Sequence, residues 1–412
     1  MGKSLLSVFF IAVMVGGLAF VGSSHFGTVD ATADVIGIIN SNTTWTKANS
    51  PYTLTGPVAV NKGVTLTIEP GAAVNLNNYY IQVNGTLHAR GSNADTIYFN
   101  GGGDRAKIKF TQHSPSWNEQ IGSGSIIEKA VLTSIEIDIN GTSTKINSNS
   151  IEGGIVCDYS SSIISNNNIV STEYVAINPS QSSAIISSNI IYNKRIAIES
   201  LSDSSIISNN TIIGGETGII HDSISDRYVL SKNTVYGADV GIEAHSFSTI
   251  EQNTVINNGI GILNRGASII RNNTIANNTV GIYSYKPSNI VYNNIQDNSE
   301  YNIRLDQYAR DNLNATYNWW GTTDTQAISQ SIFDNKNDFN LGTVTFTPFL
   351  TSPNPEAPVI TSVPTTTPPE TTPTPSQEPQ QTEQLYTILG AAIVAIVFGA
   401  GLGLIVYLIK RK

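Results

Sequence analysis

The chain has 412 residues and a mass of 44.1 kDa, and 22 basic against 31 acidic side chains give a net charge of −9. Charged residues make up 13%, about half the roughly 25% of ordinary soluble domains, and there is no basic excess of the kind a nucleic-acid binder uses to displace counterions. A single cysteine excludes an intramolecular disulfide framework and a Cys-rich zinc site, and 43 Asn and 54 Ile within 40% apolar residues are not the composition of a disordered chain.

Both ends read as membrane signals. Lys3 precedes an apolar run from Leu5 to Val21 and then small residues, which predicts a secretory signal over 1–33 with cleavage after Ser24 or Ala33, or an uncleaved anchor. At the other end Ile388 to Ile409 is 22 residues without a charge, long enough to cross the hydrocarbon core. Lys410-Arg411-Lys412 follows at once and predicts a cytoplasmic tail over 410–412 behind a transmembrane helix at 385–409. Between them, 353–384 holds nine prolines among many threonines and predicts an extended stalk, with a reach of at most about 100 Å. Seven Asn-x-Ser/Thr sequons start at Asn42, Asn84, Asn140, Asn209, Asn272, Asn277 and Asn314.

The domain between signal and stalk, 34–352, opens with short alternating segments such as Val64-Thr65-Leu66-Thr67-Ile68 and Ile81-Gln82-Val83, punctuated by Gly and Pro. It then repeats itself. Ile207-Ser208-Asn209-Asn210-Thr211-Ile212 returns as Ile270-Arg271-Asn272-Asn273-Thr274-Ile275, and the blocks are followed by Gly218-Ile219, Gly241-Ile242, Gly261-Ile262 and Gly281-Ile282. Aligned on the block, Asn149, Asn167, Asn189, Asn210, Asn233, Asn253, Asn273, Asn293 and Asn318 recur with a mean spacing of about 21 residues. A fixed period of this size predicts a solenoid, and short β-branched segments separated by Asn, Gly and Ser predict an all-β one. Leucine is too scarce for a leucine-rich repeat. The expected fold is therefore a parallel β-helix with stacked isoleucines inside and a structural ladder of stacked asparagines at a turn, each tolerating left-handed backbone. The segment before the repeats is expected to cap one end. Tyr317-Asn318-Trp319-Trp320-Gly321, a short helix near Thr325 to Phe333 and a strand near Val344 to Phe349 are expected to cap the other.

These Asn-Asn-Thr-Ile and Gly-Ile repeats resemble the right-handed parallel β-helix repeat family, which includes pectate-lyase-like proteins and NosD-type periplasmic proteins. Leu66-Thr67-Ile68-Glu69-Pro70-Gly71 and Asn318-Trp319-Trp320-Gly321 also look like β-helix surface proteins of archaea and some bacteria. The resemblance covers about residues 45 to 350 and implies a single-stranded, right-handed coil. It does not fix an activity, because one scaffold carries many functions. The Asn-Thr-Asp, Asp-Asp and Gly-His-Gly set of polygalacturonases does not occur, and Lys107-Ile108-Lys109 is only a displaced match to their Arg-Ile-Lys. Asp334-Asn335-Lys336-Asn337-Asp338 is a faint calcium loop with Lys336 where an acidic ligand is wanted. Copper would need soft or imidazole ligands, and outside the signal only Cys157 and the scattered His88, His113, His221 and His245 remain.

One constellation stands out. Four positions after the Gly of each Gly-Ile pair come Asp222, His245, Arg265 and Tyr285, which a stacked coil would align about 5 Å apart. Such a strip suits an acidic sugar, and Tyr283 and Tyr292 are candidates to stack on sugar rings. The expectation is a membrane-anchored, single-pass cell-surface protein with its β-helix outside and a structural, adhesion or carbohydrate-binding role. Its partners would be the membrane and an extracellular polysaccharide or envelope component, with no nucleic acid, cofactor, metal or assigned catalytic residue. The alternative is a polysaccharide lyase or glycoside hydrolase acting on an acidic glycan.

Overall fold

Segments such as Thr249–Glu251, Thr254–Ile256 and Ile260–Asn264 are too short to bury anything alone, and they gain stability only by stacking on the same segments of the next repeat. The computed structural model describes residues 33–360 apart from Asp104, Thr172, residues 224–228 and Ser246, and shows that stacking throughout. Each repeat is one turn of a coil with three strands, each paired in parallel with its counterpart one turn away. The first strands of the turns form a sheet of 14 strands, from Thr43–Trp45 to Val344–Thr345. The second and third strands of each turn make the other two faces. The whole is a parallel β-solenoid of about 13 turns.

Register explains the isoleucine. On the first face Ile146, Ile164, Ile186, Ile207, Leu230, Ile250, Ile270 and Ile290 stack one above another. On the second, Ile151, Ile169, Ile191, Ile212, Val235, Val255, Ile275 and Ile295 do the same. On the third the column runs Ile137, Ile155, Ile177, Ile198, Ile219, Ile242, Ile262, Ile282, Ile303, Ile332. All are buried. A β-branched side chain suits this packing, and each buried one contributes roughly 1.5–3 kcal/mol of transfer free energy. Cys157 belongs to this interior, opposite Ile139 and Pro179.

The corners carry the asparagines. The eight from Asn167 to Asn318 each accept, on Oδ1, both the backbone N–H and the Nδ2 of the asparagine one turn earlier, and Asn149 Oδ1 accepts the Ala130 N–H; for the pair Asn233 and Asn253 the distances are 2.9 and 3.1 Å. Each Nδ2 also donates to a backbone carbonyl of the preceding turn, such as Leu230 O for Asn253 at 2.8 Å. The left-handed residue is not the ladder asparagine but the one just before it. Ser148, Asn166, Ser188, Asn209, Lys232, Gln252, Asn272, Tyr292 and Tyr317 all have φ between 55° and 59°. That residue turns the chain outward, and the asparagine after it points inward. A second ladder at the next corner joins Asn258, Asn278 and Asn298 in the same way.

The ends are closed differently. Among the described residues Ala33–Ile39 pairs only with Tyr52–Val60, and Ile36 and Ile38 are exposed on this outermost turn. At the other end the helix is Thr325–Gln330, shorter than expected, because Asp324 caps its start and Ile332–Phe333 leaves it to pair with Ile303 and Arg304. Ile328, Trp320, Leu341 and Val344 are buried there. The last strand is Val344–Thr345, and Phe346 and Phe349 continue as a stacked pair with ring centroids 6.4 Å apart. Residues 353–360, expected to begin the stalk, lie against the coil, with Asn354 and Ala357 buried. Of the signal expected at 1–33 all but Ala33 lies outside the described residues, as do 361–384 of the expected stalk and the segments 385–409 and 410–412. Among the described residues no helix is long and apolar enough to cross a membrane.

Candidate functional site

The third strand of each turn turns alternate side chains away from the interior, and two columns of them meet over five turns, with Leu263 and Asp306 themselves covered by their neighbours. One runs Glu199, Ile220, Glu243, Leu263, Tyr283, Arg304, Phe333. The other lies just past the strand ends and holds Asp222, His245, Arg265, Tyr285 and Asp306. Its register is fixed by the backbone: His245 N–H donates to His221 O at 3.0 Å, Arg265 N–H to Ala244 O at 2.8 Å, Tyr285 N–H to Asn264 O at 2.8 Å and Asp306 N–H to Ser284 O at 2.9 Å. Parallel turns stack about 4.8 Å apart.

The structure brings His245, Arg265 and Tyr285 together through one residue that the Gly-Ile spacing did not single out. Glu243 Oε1 accepts from Arg265 Nε at 2.6 Å and lies 2.9 Å from His245 Nε2. The Arg265 guanidinium sits over the Tyr285 ring, 5.0 Å from its centroid. Its hydrogen bond to Glu243 raises its pKa, so it stays charged. Asp222 occupies the preceding turn, in register with Leu201. Tyr283 lies beside Tyr285, centroids 5.5 Å apart, and donates to Asp306 Oδ2 at 3.1 Å. Burial, and then that bond, push the Tyr283 pKa up. Arg304 stacks among Tyr283, Tyr301 and Phe333 at 5.3 to 6.0 Å.

The site is thus a charged half, Glu243, His245 and Arg265, joined to an aromatic half, Tyr283, Tyr285 and Tyr301. Tyr292 is not part of it. It stacks on Tyr317 at the asparagine corner, with centroids 5.5 Å apart. Glu243 could have been found by reading two positions past the Gly instead of four. Arg304 and Asp306 could not, because their turn has Asn302 in place of the Gly.

Other candidates resolve into local structure. Asp334 is buried and receives N–H groups of Lys336 and Val344 at 3.1 and 3.0 Å, with Lys336 Nζ 2.8 Å from its Oδ1. Asp338 is bonded by Asn340, which lowers its pKa. The loop from Asp334 to Asp338 is therefore a self-satisfied turn. Lys107 pairs with Glu136 at 2.7 Å. Among the described residues no group of three His, Cys, Asp or Glu side chains is placed to hold a metal ion.

Residues 217–340, which contain the strip from Asp222 to Asp306, match the family model described as right handed beta helix region. No curated protein and no solved structure matches the chain. Residues 217–340 are thus similar to right-handed β-helix regions, and the same parallel stacking of turns runs through the rest of the described coil.

Proposed function

We propose that the protein is a membrane-anchored surface protein whose β-helix binds polysaccharide along the strip from Asp222 to Asp306, in adhesion or in building the envelope. One observation supports this best: Arg265, held charged over Tyr285 by Glu243, stands next to the Tyr283 ring on the outside of a rigid coil. A guanidinium matches the carboxylate of an acidic sugar, and flat phenol rings match the apolar faces of sugar rings. The coil axis repeats at one polar residue per turn, which suits a polymer better than a single small ligand. The anchor at 385–409 and the signal at 1–33 are part of the proposal and rest on the apolar runs of the sequence.

The test is retention of the purified full chain on immobilised polyuronate against a neutral glucan. Retention on the polyuronate that Arg265→Ala and Tyr285→Ala both abolish supports the reading. Equal retention of the variants removes it. The same samples, followed for unsaturated products and new reducing ends, decide the lyase or hydrolase alternative.

A further inference from the structure

The strip follows the edge where the third strands end. The opposite edge of the same face, where those strands begin, carries tyrosine, arginine and glutamate again, in reverse order. Tyr174, Arg195 and Glu216 stand just before the third strands Val175–Ser180, Ile196–Asp203 and Thr217–Ser223. The backbone fixes their register: Ile196 N–H donates to Tyr174 O at 3.2 Å and Thr217 N–H to Arg195 O at 2.8 Å. The Arg195 guanidinium lies over the Tyr174 ring, 4.4 Å from its centroid, and Arg195 Nε is 3.3 Å from Glu216 Oε1. All three side chains are about half exposed, so a ligand can reach each of them. Beneath them Asn193 is buried, and neither its Oδ1 nor its Nδ2 has a hydrogen-bond partner. A Cβ on Gly215 would strike that Nδ2, so the amide is wedged between the turn of Arg195 and the turn of Glu216. The asparagines of the two ladders are bonded at this depth; Asn193 is not, and an unmet buried amide marks a place where a ligand can supply the partner.

Arg195 and Arg265 are three turns apart, which is about 14 Å along the axis. Arg195 precedes its strand and Arg265 follows its own, which adds about 20 Å across the strands and makes the direct line about 24 Å. We infer, on the reading of the strip as a polysaccharide site, that the corner of Tyr174, Arg195 and Glu216 is a second binding site for the same acidic polymer, so that a glycan bound at Arg265 continues obliquely across the third face to Arg195. The guanidinium on each edge takes a sugar carboxylate, and the phenol ring beside it takes the flat face of a sugar. Two contacts on one chain reinforce each other through effective concentration, so the arrangement selects for length.

The experiment titrates the full chain, held in detergent, with a polyuronate and with a uronate disaccharide, which is too short to span the face. It compares the native chain with Arg195→Ala, Tyr174→Ala and Arg265→Ala, and the thermal midpoint checks that each substitution leaves the coil folded. Arg195→Ala and Tyr174→Ala should each bind the polymer at least about fivefold more weakly than the native chain. The native chain should take up two disaccharides, and Arg195→Ala and Arg265→Ala one each. Unchanged polymer affinity in Arg195→Ala and Tyr174→Ala overturns the inference, and the strip stands by itself if Arg265→Ala still loses binding. A single disaccharide on the native chain overturns it as well. Absence of any polymer binding by the native chain overturns both the strip and the second site.

Discussion

Asn253 gives both its backbone N–H and its Nδ2 to the same atom, Asn273 Oδ1, at 2.9 and 3.0 Å. The same residue receives the equivalent pair from Asn233. One amide therefore satisfies buried groups on three successive turns. Asn253→Ala would leave the Asn233 N–H and the Leu230 carbonyl without partners in a dry corner. The expected cost is roughly 3 kcal/mol or more. Asn253→Asp keeps the acceptor but loses the donor, so it should be no better. Denaturant unfolding measures the loss, and amide exchange should place it on the turns of Asn233 and Asn273, since each turn is supported only by its neighbours.

Gly261 shows why Gly-Ile repeats. It does not have positive φ, yet a Cβ there would lie 2.6 Å from Gly281 O and 2.9 Å from Asn278 Nδ2. The glycine makes room for the next turn's backbone and for the second ladder. Gly261→Ala should cost about 2–3 kcal/mol by forcing the turns apart. A thermal midpoint unchanged from the native protein would refute this account.

These two columns also show what the sequence could reveal. Isoleucine, ladder asparagine and glycine repeat because every turn imposes the same burial, so period and parallel pairing were legible from spacing alone. The second ladder was not, because Asn257-Asn258 and Asn277-Asn278 are surrounded by other asparagines and only geometry separates the left-handed residue from the bonded one. Arg304 and Asp306 join the site through stacking across turns, which the Gly-Ile spacing does not encode, whereas Glu243 stands two positions past Gly241 and was legible. Composition declared 353–360 extended but could not show that Asn354 has partners on Asn294 and Asn272.

His221 is buried with Nδ1 2.9 Å from Ser248 Oγ. Burial pushes its pKa down to about 4, against a smaller opposing pull from Asp222. The folded coil thus holds the neutral ring, and the unfolded chain takes up the proton first. The stabilisation is complete above the ordinary histidine value of about 6.5. It is lost as the pH falls from there through about 4. The full effect is up to about 3 kcal/mol. Stability curves of the native protein and His221→Gln should therefore converge as the pH is lowered across this window. Parallel curves would show that the ring is accessible to protons in the folded state.

The charged half of the strip gives a prediction of sign. Glu243 neutralises Arg265 and is only 14% exposed, so the pair presents little net charge to a ligand. Glu243→Gln keeps the shape and an acceptor for Arg265 Nε while removing the compensating charge. If an acidic polymer docks on Arg265, the variant should bind it more tightly, by roughly 1 kcal/mol or about fivefold at low salt, and the gain should shrink as ionic strength rises. Arg265→Ala should lose binding, and the double variant should resemble Arg265→Ala because the arginine is where both effects act. Affinity electrophoresis across a salt series measures all three. Weaker binding by Glu243→Gln would mean that Glu243 itself faces the ligand, as a hydroxyl acceptor for a neutral sugar, and would move the proposal from acidic to neutral polysaccharide.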